Sequence, residues 1–224
     1  MVHNSREEIL SRLRNADRPA QLPPRPHLPA LSESDLDAEQ LLARFTEQLT
    51  AQEGEVHHLS DEQAFWDRLE TVFETHNAGC AMATADPLLG LNLRQWGQNK
   101  GFEIKTPAAY TDRTGYTQAV FDQMPIGITT ADHAVAESGT LVLVHGKDQA
   151  RLLSLAPLIH VALLPRRRIV PTYEDALQPI FAQGHPPSQV CLITGPSMTA
   201  DIQGVPFKGM HGPQKLIVLI LAFC

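Results

Sequence analysis

Short apolar runs in the second half of the chain place the strongest limit on its possible folds. They are rich in Val, Ile, Leu and Thr, and turn or helix signals separate them. The runs cover 126–130, 140–145, 158–164, 189–194 and 215–223. Because most of these runs are apolar throughout rather than alternating with polar residues, they predict strands that are buried on both faces. The first half alternates helical patterns with short extended stretches. This order of elements predicts an α/β fold with a parallel sheet.

Several helical patterns predict the elements that cover this sheet. The predicted helices cover 5–15, 35–52, 60–77, 87–100 and 172–181, and the extended stretches of the first half cover 55–59, 80–84 and 102–106. Ser5 and Ser60 each begin a capping-box pattern, in which side chains three residues apart satisfy two backbone N–H groups. Gly79 is expected to supply the C-terminal cap of the helix over 60–77.

The N-terminal segment is predicted to be distinct from the sheet. The helix over 5–15 is too short to be stable alone, so it must dock either on its own domain or on a partner chain. The prolines at 19–29 favour an extended linker or surface strap. We therefore divide the chain into an N-terminal helix with a proline-rich strap at 1–34 and an α/β domain at 35–224.

Composition and charge exclude several classes of protein. The chain of 224 residues has a net charge of -7, which argues against general affinity for the nucleic-acid backbone. Cys80, Cys191 and Cys224 are too few to hold an iron–sulfur cluster by four thiolates. Residues 1–18 lack a signal-peptide core, and the apolar run at 216–223 is too short to span a bilayer. A cytoplasmic protein without a membrane segment is expected.

Three loops are candidates for chemistry, because ligands of open α/β sheets bind where strands end and helices begin. The first loop, at 132–140, places Glu137 beside Ser138 and Gly139, directly before a strand. This carboxylate could be a nucleophile, a general base or an acceptor for a ligand hydroxyl. It could equally be a turn residue that binds backbone N–H groups. The residues alone leave both interpretations open.

The second loop, at 194–201, reads TGPSMTAD. Gly195 and Pro196 turn the chain, and Ser197 or Thr199 is expected to cap a following helix, with Asp201 in its first turn. Such a helix start suits a phosphate or carboxylate. Simple capping without a ligand is the alternative, and Asp201 would repel an anion placed beside it.

The third loop, at 208–213, reads KGMHGP and places His211 between glycines. Its imidazole could act as an acid or base near neutral pH or as a ligand-binding donor, although a loop histidine is more often structural. The other histidines lack metal-ligand spacing, so no metal site is predicted. Dinucleotide, P-loop and α/β-hydrolase motifs are absent from the sequence.

Several ordered motifs together resemble a known family. GITTADHAVAESGTLVLV, RLLSLAPLIHVALL, ITGPSMTADIQ and KGMHGPQKLIVLIL follow one another from Gly127 onward. They resemble the lactate utilization domain (LUD) family, in the branch of lactate utilization protein C. The resemblance implies a Rossmann-like α/β sheet similar to sugar-phosphate isomerases and coenzyme A transferases. It also implies a role in the oxidation of L-lactate to pyruvate together with two iron–sulfur partner proteins, which would carry the clusters that this chain lacks.

The family resemblance also implies a common site for residues of the three loops. Those residues are Glu137, Gly139, Thr140, Gly195, Pro196, Ser197, Thr199, Asp201, His211 and Gly212. Glu137 and His211 would be catalytic and the others would bind the ligand. Two positions depart from the family pattern, since Met198 and Gln203 replace the usual Arg and Glu. Either the anion site is completed by Arg151, Lys208 or Arg94, or a former ion pair was exchanged for two neutral residues. The second explanation accounts for both changes.

Three functions follow as hypotheses. The first is a non-redox subunit of a lactate-oxidising assembly. The second is a free-standing transferase or isomerase, with Glu137 forming a glutamyl thioester as in coenzyme A transferases. The third is a module that binds a small carboxylate or nucleotide.

Overall fold

The structure, a computed structural model, describes residues 5–15, 36–146, 149–182, 187–200 and 206–224. The contacts divide the chain into two units, Met1–Leu31 and Ser32–Cys224. In the first unit, α1 (Ser5–Arg14) confirms the predicted N-terminal helix, and Arg12 pairs with Glu8 one turn earlier. The proline-rich segment at 19–29 and the predicted domain boundary at 34–35 lie outside the described residues.

The second unit alternates helices and strands. Its helices are α2 (Ala38–Ala51), α3 (Glu62–Thr75), α4 (Leu93–Lys100), α5 (Arg113–Asp122), α6 (Leu152–Leu155) and α7 (Tyr173–Phe181), with short 3-10 helices at Pro107–Ala109 and Arg166–Arg168. Its strands are β1 (Glu55–Leu59), β2 (Cys80–Ala83), β3 (Glu103–Lys105), β4 (Ile126–Thr130), β5 (His133–Val135), β6 (Thr140–His145), β7 (Ile159–Pro165), β8 (Ile169–Val170), β9 (Gln189–Ile193), β10 (Met198–Ala200), β11 (Pro206–Lys208) and β12 (Lys215–Leu221).

The central sheet is parallel, as the sequence predicts. Its strand order is β1-β12-β7-β4-β2-β3, and each neighbouring pair runs in the same direction. In β7 all residues are buried, and in β12 all except Lys215. The sheet is therefore covered on both faces, which is the condition under which continuous apolar strands are stable. The architecture is a Rossmann-like α/β fold.

One face of the sheet packs on helices, and the other packs on a second sheet together with further helices. Leu163 and Leu219 lie in a cluster with Phe65 and Phe73 of α3. The opposite face joins a cluster that contains Leu141 and Leu143 of β6 and Phe45 and Leu49 of α2. This second sheet has the order β8-β5-β6-β9, with antiparallel β5–β6 and β6–β9 pairs.

Two of the predicted apolar strands belong to the smaller sheet. The runs at 140–145 and 189–194 form β6 and β9, which pair antiparallel from Leu141 with Ile193 to His145 with Gln189. The prediction of strands is confirmed at both positions. The prediction of burial on both faces is wrong for β9, in which no residue is buried and Leu192 is about half exposed. An apolar run does not specify which strand will lie beside it, so the sequence does not reveal this difference.

The helix boundaries differ from prediction where a local cap competes. Asp61, rather than Ser60, caps α3, since its carboxylate accepts from the backbone N–H of Ala64 at 2.9 Å. Gly79 is not the C-terminal cap, because α3 ends at Thr75 with His76 as its C-cap, and Asn77 adopts the left-handed conformation with φ 48°. The predicted helix over 87–100 begins only after Asn92, which accepts from the N–H of Gln95.

Candidate functional site

A small cavity lies where the second and third candidate loops meet the sheet. Its volume is about 140 Å³. Loop residues and buried strand residues form its wall together: Ser154, Leu155, His160, Ile193, Gly195, Ser197, His211, Gly212, Pro213 and Leu216. Since a water molecule takes ~30 Å³ in the liquid, the cavity has the space of about five waters, enough for a ligand with a few non-hydrogen atoms.

Backbone hydrogen bonds hold the two loops together at this cavity. The N–H of Ser197 donates to the carbonyl of Pro213 at 2.8 Å, and the N–H of Gly209 donates to the carbonyl of Ser197 at 2.9 Å. A Cβ on Gly212 would lie 3.1 Å from the Cβ of Ser197, so a larger residue would require the Ser197 side chain to shift slightly. The sequence prediction that Gly195, Ser197, His211 and Gly212 lie close together agrees with this arrangement.

His160 forms the buried part of the cavity wall. Its residue exposure is 1%, and its Nε2 lies 2.8 Å from Oγ1 of Thr129. Complete burial, with a smaller contribution from His145, lowers the pKa of His160 to about 3, so the imidazole is neutral at physiological pH. Its Nδ1 is buried and has no hydrogen-bond partner among the described residues.

The unpaired ring nitrogen belongs to a residue of the cavity wall. A buried polar atom without a partner costs roughly 1–3 kcal/mol. Two neutral tautomers fit the Thr129 contact, so Nδ1 offers either a donor or an acceptor. Sequence reasoning missed this residue. The sequence did contain a sign of this residue, because His160 is the polar residue within the otherwise apolar run at 158–164.

The turn at Gly195 and Pro196 rests on the end of α2. A Cβ on Gly195 would lie 2.5 Å from the carbonyl oxygen of Gln52, so only glycine permits this approach. Pro196 is buried. These two residues therefore position Ser197, while Ser197 itself lines the cavity.

The residues described after this turn, up to Ala200, form a strand rather than a helix, which corrects the prediction for the second loop. Met198–Ala200 forms β10 and pairs antiparallel with β11, so Thr199 lies opposite Phe207. Ser197 and Thr199 therefore cap no helix, and the proposed anion site at a helix start is absent there. A hairpin of β10 and β11 forms in place of the predicted helix, because two paired extended segments satisfy each other's backbone hydrogen-bonding groups. Asp201 and Gln203 lie outside the described residues.

The cavity also lies at an unexpected end of the sheet. His160 and Leu216 are the second residues of β7 and β12, so the cavity is at the amino ends of these parallel strands. The expectation that these loops lie at the carboxyl ends of strands is wrong for the third loop, which precedes β12. The second loop does follow the carboxyl end of a strand, but that strand is β9 of the smaller sheet.

The first candidate loop forms a different arrangement. Oε1 of Glu137 accepts from the backbone N–H of Tyr173, the first residue of α7, at 3.2 Å. The hydroxyls of Ser138, Thr140 and Tyr173 lie within 2.7–2.9 Å of one another. Glu137 does not line the cavity that contains His211, so these two predicted catalytic residues are not brought together there. The contact of Glu137 supports the interpretation of a carboxylate that binds backbone N–H groups.

Gly139 and Thr140 are positioned by packing. Gly139 has φ 65°, and a Cβ there would lie 2.3 Å from the backbone nitrogen of Leu49 in α2. Thr140 is fully buried and pairs with Val135 in the small sheet. The close contact between α2 and this turn explains the glycine without any ligand.

The basic residues that could replace the family arginine do not line the cavity. Lys208 pairs with Glu53, Arg94 pairs with Asp86 at 3.6 Å, and neither lines the cavity. Arg151 also lies outside the cavity wall, although it directly precedes α6, which contributes Ser154 and Leu155 to it. Met198 is about half exposed at the start of β10.

The described residues contain no group of three or more His, Cys, Asp or Glu side chains that could hold a metal ion. Within the same ranges, none of the helices has both the length and the apolar character needed to cross a bilayer.

Comparison with known proteins places the chain in a family. A family model described as LUD domain matches residues 42–221. Lactate utilization protein C of Anoxybacillus flavithermus is 43% identical over 96 residues, which cover 43% of each protein. The protein of the same name from Geobacillus sp. (strain WCH70) is 33% identical over 164 residues, covering 69% of this chain and 67% of that protein. The Bacillus subtilis protein of this name is 32% identical over 154 residues, covering 67% and 59%.

The alignment with the Anoxybacillus protein, like those with its counterparts from Oceanobacillus iheyensis and Macrococcus caseolyticus, spans less than half of the relative's length, at 43–46%. A crystal structure of a DUF162 family protein from Deinococcus radiodurans shares the fold, with a TM-score of 0.60 and 20% identity. The match covers 84% of this chain and 99% of that one. The family model and the relatives agree, and the chain belongs to the LUD domain family.

Proposed function

We propose that this chain takes part in lactate utilization, as a non-redox component of a system that oxidises L-lactate to pyruvate. The observation that supports the proposal is the set of relatives named lactate utilization protein C, aligned over as much as 69% of this chain. With three cysteines, the chain cannot supply the four thiolates of an iron–sulfur cluster by itself. Electrons would therefore pass through iron–sulfur partner proteins, and the assembly would act in the cytoplasm.

Within this role, the cavity at His160 and Ser197 is the place where a small carboxylate would bind. Its volume of about 140 Å³ suits a three-carbon acid, and the described residues of its wall include no aspartate or glutamate. Hydroxyls of Ser154 and Ser197 and the neutral ring of His160 offer hydrogen bonds. His211, which is exposed at the wall, could bind the carboxylate from the solvent side.

A growth experiment tests the role in lactate utilization. Source cells that lack this chain should fail to grow on L-lactate but grow normally on pyruvate, and the wild-type gene should restore growth. Anaerobic affinity purification of the restored protein should recover a cysteine-rich iron–sulfur protein. Normal growth on L-lactate without this chain would overturn the proposal.

The cavity is tested with variants that keep the fold. Ser197→Ala and His211→Ala change side chains at the wall and should reduce growth on L-lactate. His58→Ala is the matched control, because His58 is an exposed histidine on β1 that does not line the cavity. Full growth with both wall variants, at normal protein levels, would remove the cavity from the proposed function.

A further inference from the structure

A second and larger cleft borders α6. Its volume is about 430 Å³, roughly three times that of the cavity at His160. Arg151 and Leu152 face this cleft, whereas Ser154 and Leu155 line the smaller cavity. The side chains of the cleft that matter here are Arg113, Tyr116, His145, Gln149, Arg151 and Ser188. None of the residues implied by the family motifs as a ligand site lies in this wall.

The described residues of the cleft carry a charge opposite to that of the chain. Acidic residues outnumber basic ones by 25 to 18 in the sequence. The cleft nevertheless contains two guanidinium groups, Arg113 and Arg151, and no aspartate or glutamate among its described lining residues. Neither arginine forms an ion pair within the described part of the chain. Two guanidinium groups that form no ion pair with a described residue, in one concave surface, favour an anion with several oxygen atoms.

Arg151 is held in place before any ligand binds. Its Nη1 donates to Oε1 of Gln189 at 2.8 Å, across the cleft wall from the start of β9. This bond uses one of the five donors of the guanidinium and leaves the others free. An arginine fixed in this way loses less conformational entropy when it binds an anion.

Two buried polar atoms of the wall residues have no partner among the described residues. They are the hydroxyl of Tyr116 and Nε2 of His145. Burial raises the pKa of Tyr116 to about 12, so the phenol stays protonated and can donate. Nδ1 of His145 lies 3.3 Å from the carbonyl oxygen of Gln149, so Nδ1 carries the proton and Nε2 is an acceptor. The cleft thus combines cations, a neutral donor and an acceptor.

We propose that this cleft binds a small molecule that carries both a phosphate group and a hydroxyl group. Arg113, Arg151 and Tyr116 bind the phosphate oxygens, and Nε2 of His145 accepts from the hydroxyl. A phosphate dianion matches two guanidinium charges and offers three acceptor oxygens, whereas a carboxylate offers one charge and two oxygens. This site is separate from the proposed carboxylate cavity and does not depend on a role in lactate utilization.

Calorimetric titration of the full chain with inorganic pyrophosphate tests this proposal. Malonate, at the same ionic strength, is the control for carboxylate binding. Pyrophosphate should bind at least about fivefold more tightly than malonate, because it offers more charge and more acceptors. Arg151→Gln and Arg113→Gln should each weaken pyrophosphate binding at least about tenfold, since each removes a charge-assisted contact. Tyr116→Phe, which keeps the ring, should weaken it less.

Arg167→Gln is the matched control, because it removes one exposed arginine that lies outside the cleft. This variant should bind pyrophosphate like the wild type. The proposal is overturned if the wild type does not bind pyrophosphate at millimolar concentration, or if malonate binds equally well. It is also overturned if Arg167→Gln weakens binding as much as the two cleft variants, because the effect would then reflect overall charge.

Discussion

His160 and Thr129 lie on neighbouring parallel strands, with Nε2 of the imidazole 2.8 Å from the threonine Oγ1. In the register of β4 and β7, His160 is paired with Gly127, two residues before Thr129. Gly127 lets α6 approach closely, since a Cβ there would lie 2.1 Å from the carbonyl oxygen of Leu153. The same three residues thus orient the ring of His160, a residue of the cavity wall, and place α6 beside it.

The hydrogen bond between Thr129 and His160 should make a measurable contribution to the free energy of unfolding. Thr129→Val keeps the shape of the side chain and removes the hydroxyl, so Nε2 of His160 loses its partner while still buried. We expect the free energy of unfolding to fall by about 1–3 kcal/mol, measured by urea denaturation.

Thr130→Val is the matched control at the next position. Its hydroxyl is also buried but has no partner among the described residues. Its replacement should change stability by less than about 1 kcal/mol, or even stabilise the protein. Equal losses in the two variants would show that the bond to His160 is not the cause.

The lowered pKa of His160 predicts loss of stability in mild acid. The unfolded histidine takes up a proton below pH 6.5, but the folded one does so only near its pKa of about 3. Between these values the unfolded state binds more protons, so stability falls as the pH falls, by up to about 1.4 kcal/mol per pH unit. Above pH 6.5 this contribution is fully present.

His160→Gln removes this titration while keeping a side chain that can bond Thr129. The variant should therefore lose less stability than the wild type between pH 6 and 4, a difference of about 1 kcal/mol per pH unit. Urea denaturation at a series of pH values measures both slopes, and parallel slopes would contradict the assignment to His160.

Gly139 should be required for the packing of its turn against α2 rather than for ligand binding. Gly139→Ala forces a side chain into a backbone conformation with φ 65° and against Leu49 of α2. A loss of about 2–5 kcal/mol is expected from backbone strain and overpacking together. Gly79→Ala provides the comparison, because a Cβ at Gly79 meets nothing within 4 Å, and its thermal midpoint should stay close to that of the wild type.

Glu137 can be tested as an acceptor and as a nucleophile by one substitution. Glu137→Gln retains a carbonyl oxygen for the N–H of Tyr173 but cannot form a glutamyl thioester. We expect stability within about 1 kcal/mol of the wild type and normal growth of the restored cells on L-lactate. Loss of growth with unchanged stability would instead favour the transferase hypothesis.

Local patterns predicted most of the elements because their causes are local. The helix over 172–181 is an example: Thr172 and Asp175 form a capping box, and the helix is Tyr173–Phe181. The predictions failed where the same local sequence pattern is compatible with two different backbone structures. Ser197 and Thr199 resemble helix caps, yet the following residues are extended because they pair with a segment further along the chain. Helices α5 and α6 were missed, and α6 spans only Leu152–Leu155.

The candidate site was predicted only in part, for a similar reason. Gly195, Ser197, His211 and Gly212 meet at one cavity, as the family motifs imply. Glu137 does not line this cavity. It accepts from the backbone N–H of Tyr173 at the start of α7, and Gly139 of the same turn packs against α2. His160 was overlooked, since an imidazole inside an apolar strand gives no indication in the sequence of what its two nitrogens face.

By itself, the sequence determined the class of fold, the positions of most strands and helices, and the family. Hydrophobic periodicity, capping residues and ordered motifs depend on neighbours along the chain, so they can be read without coordinates. The tertiary structure alone decided that β6 and β9 form a second sheet, that the cavity lies at the amino ends of β7 and β12, and that Arg113 shares a cleft with Arg151. Each of these depends on contacts between segments far apart in the chain, and their geometry arises only when the sheets pack together.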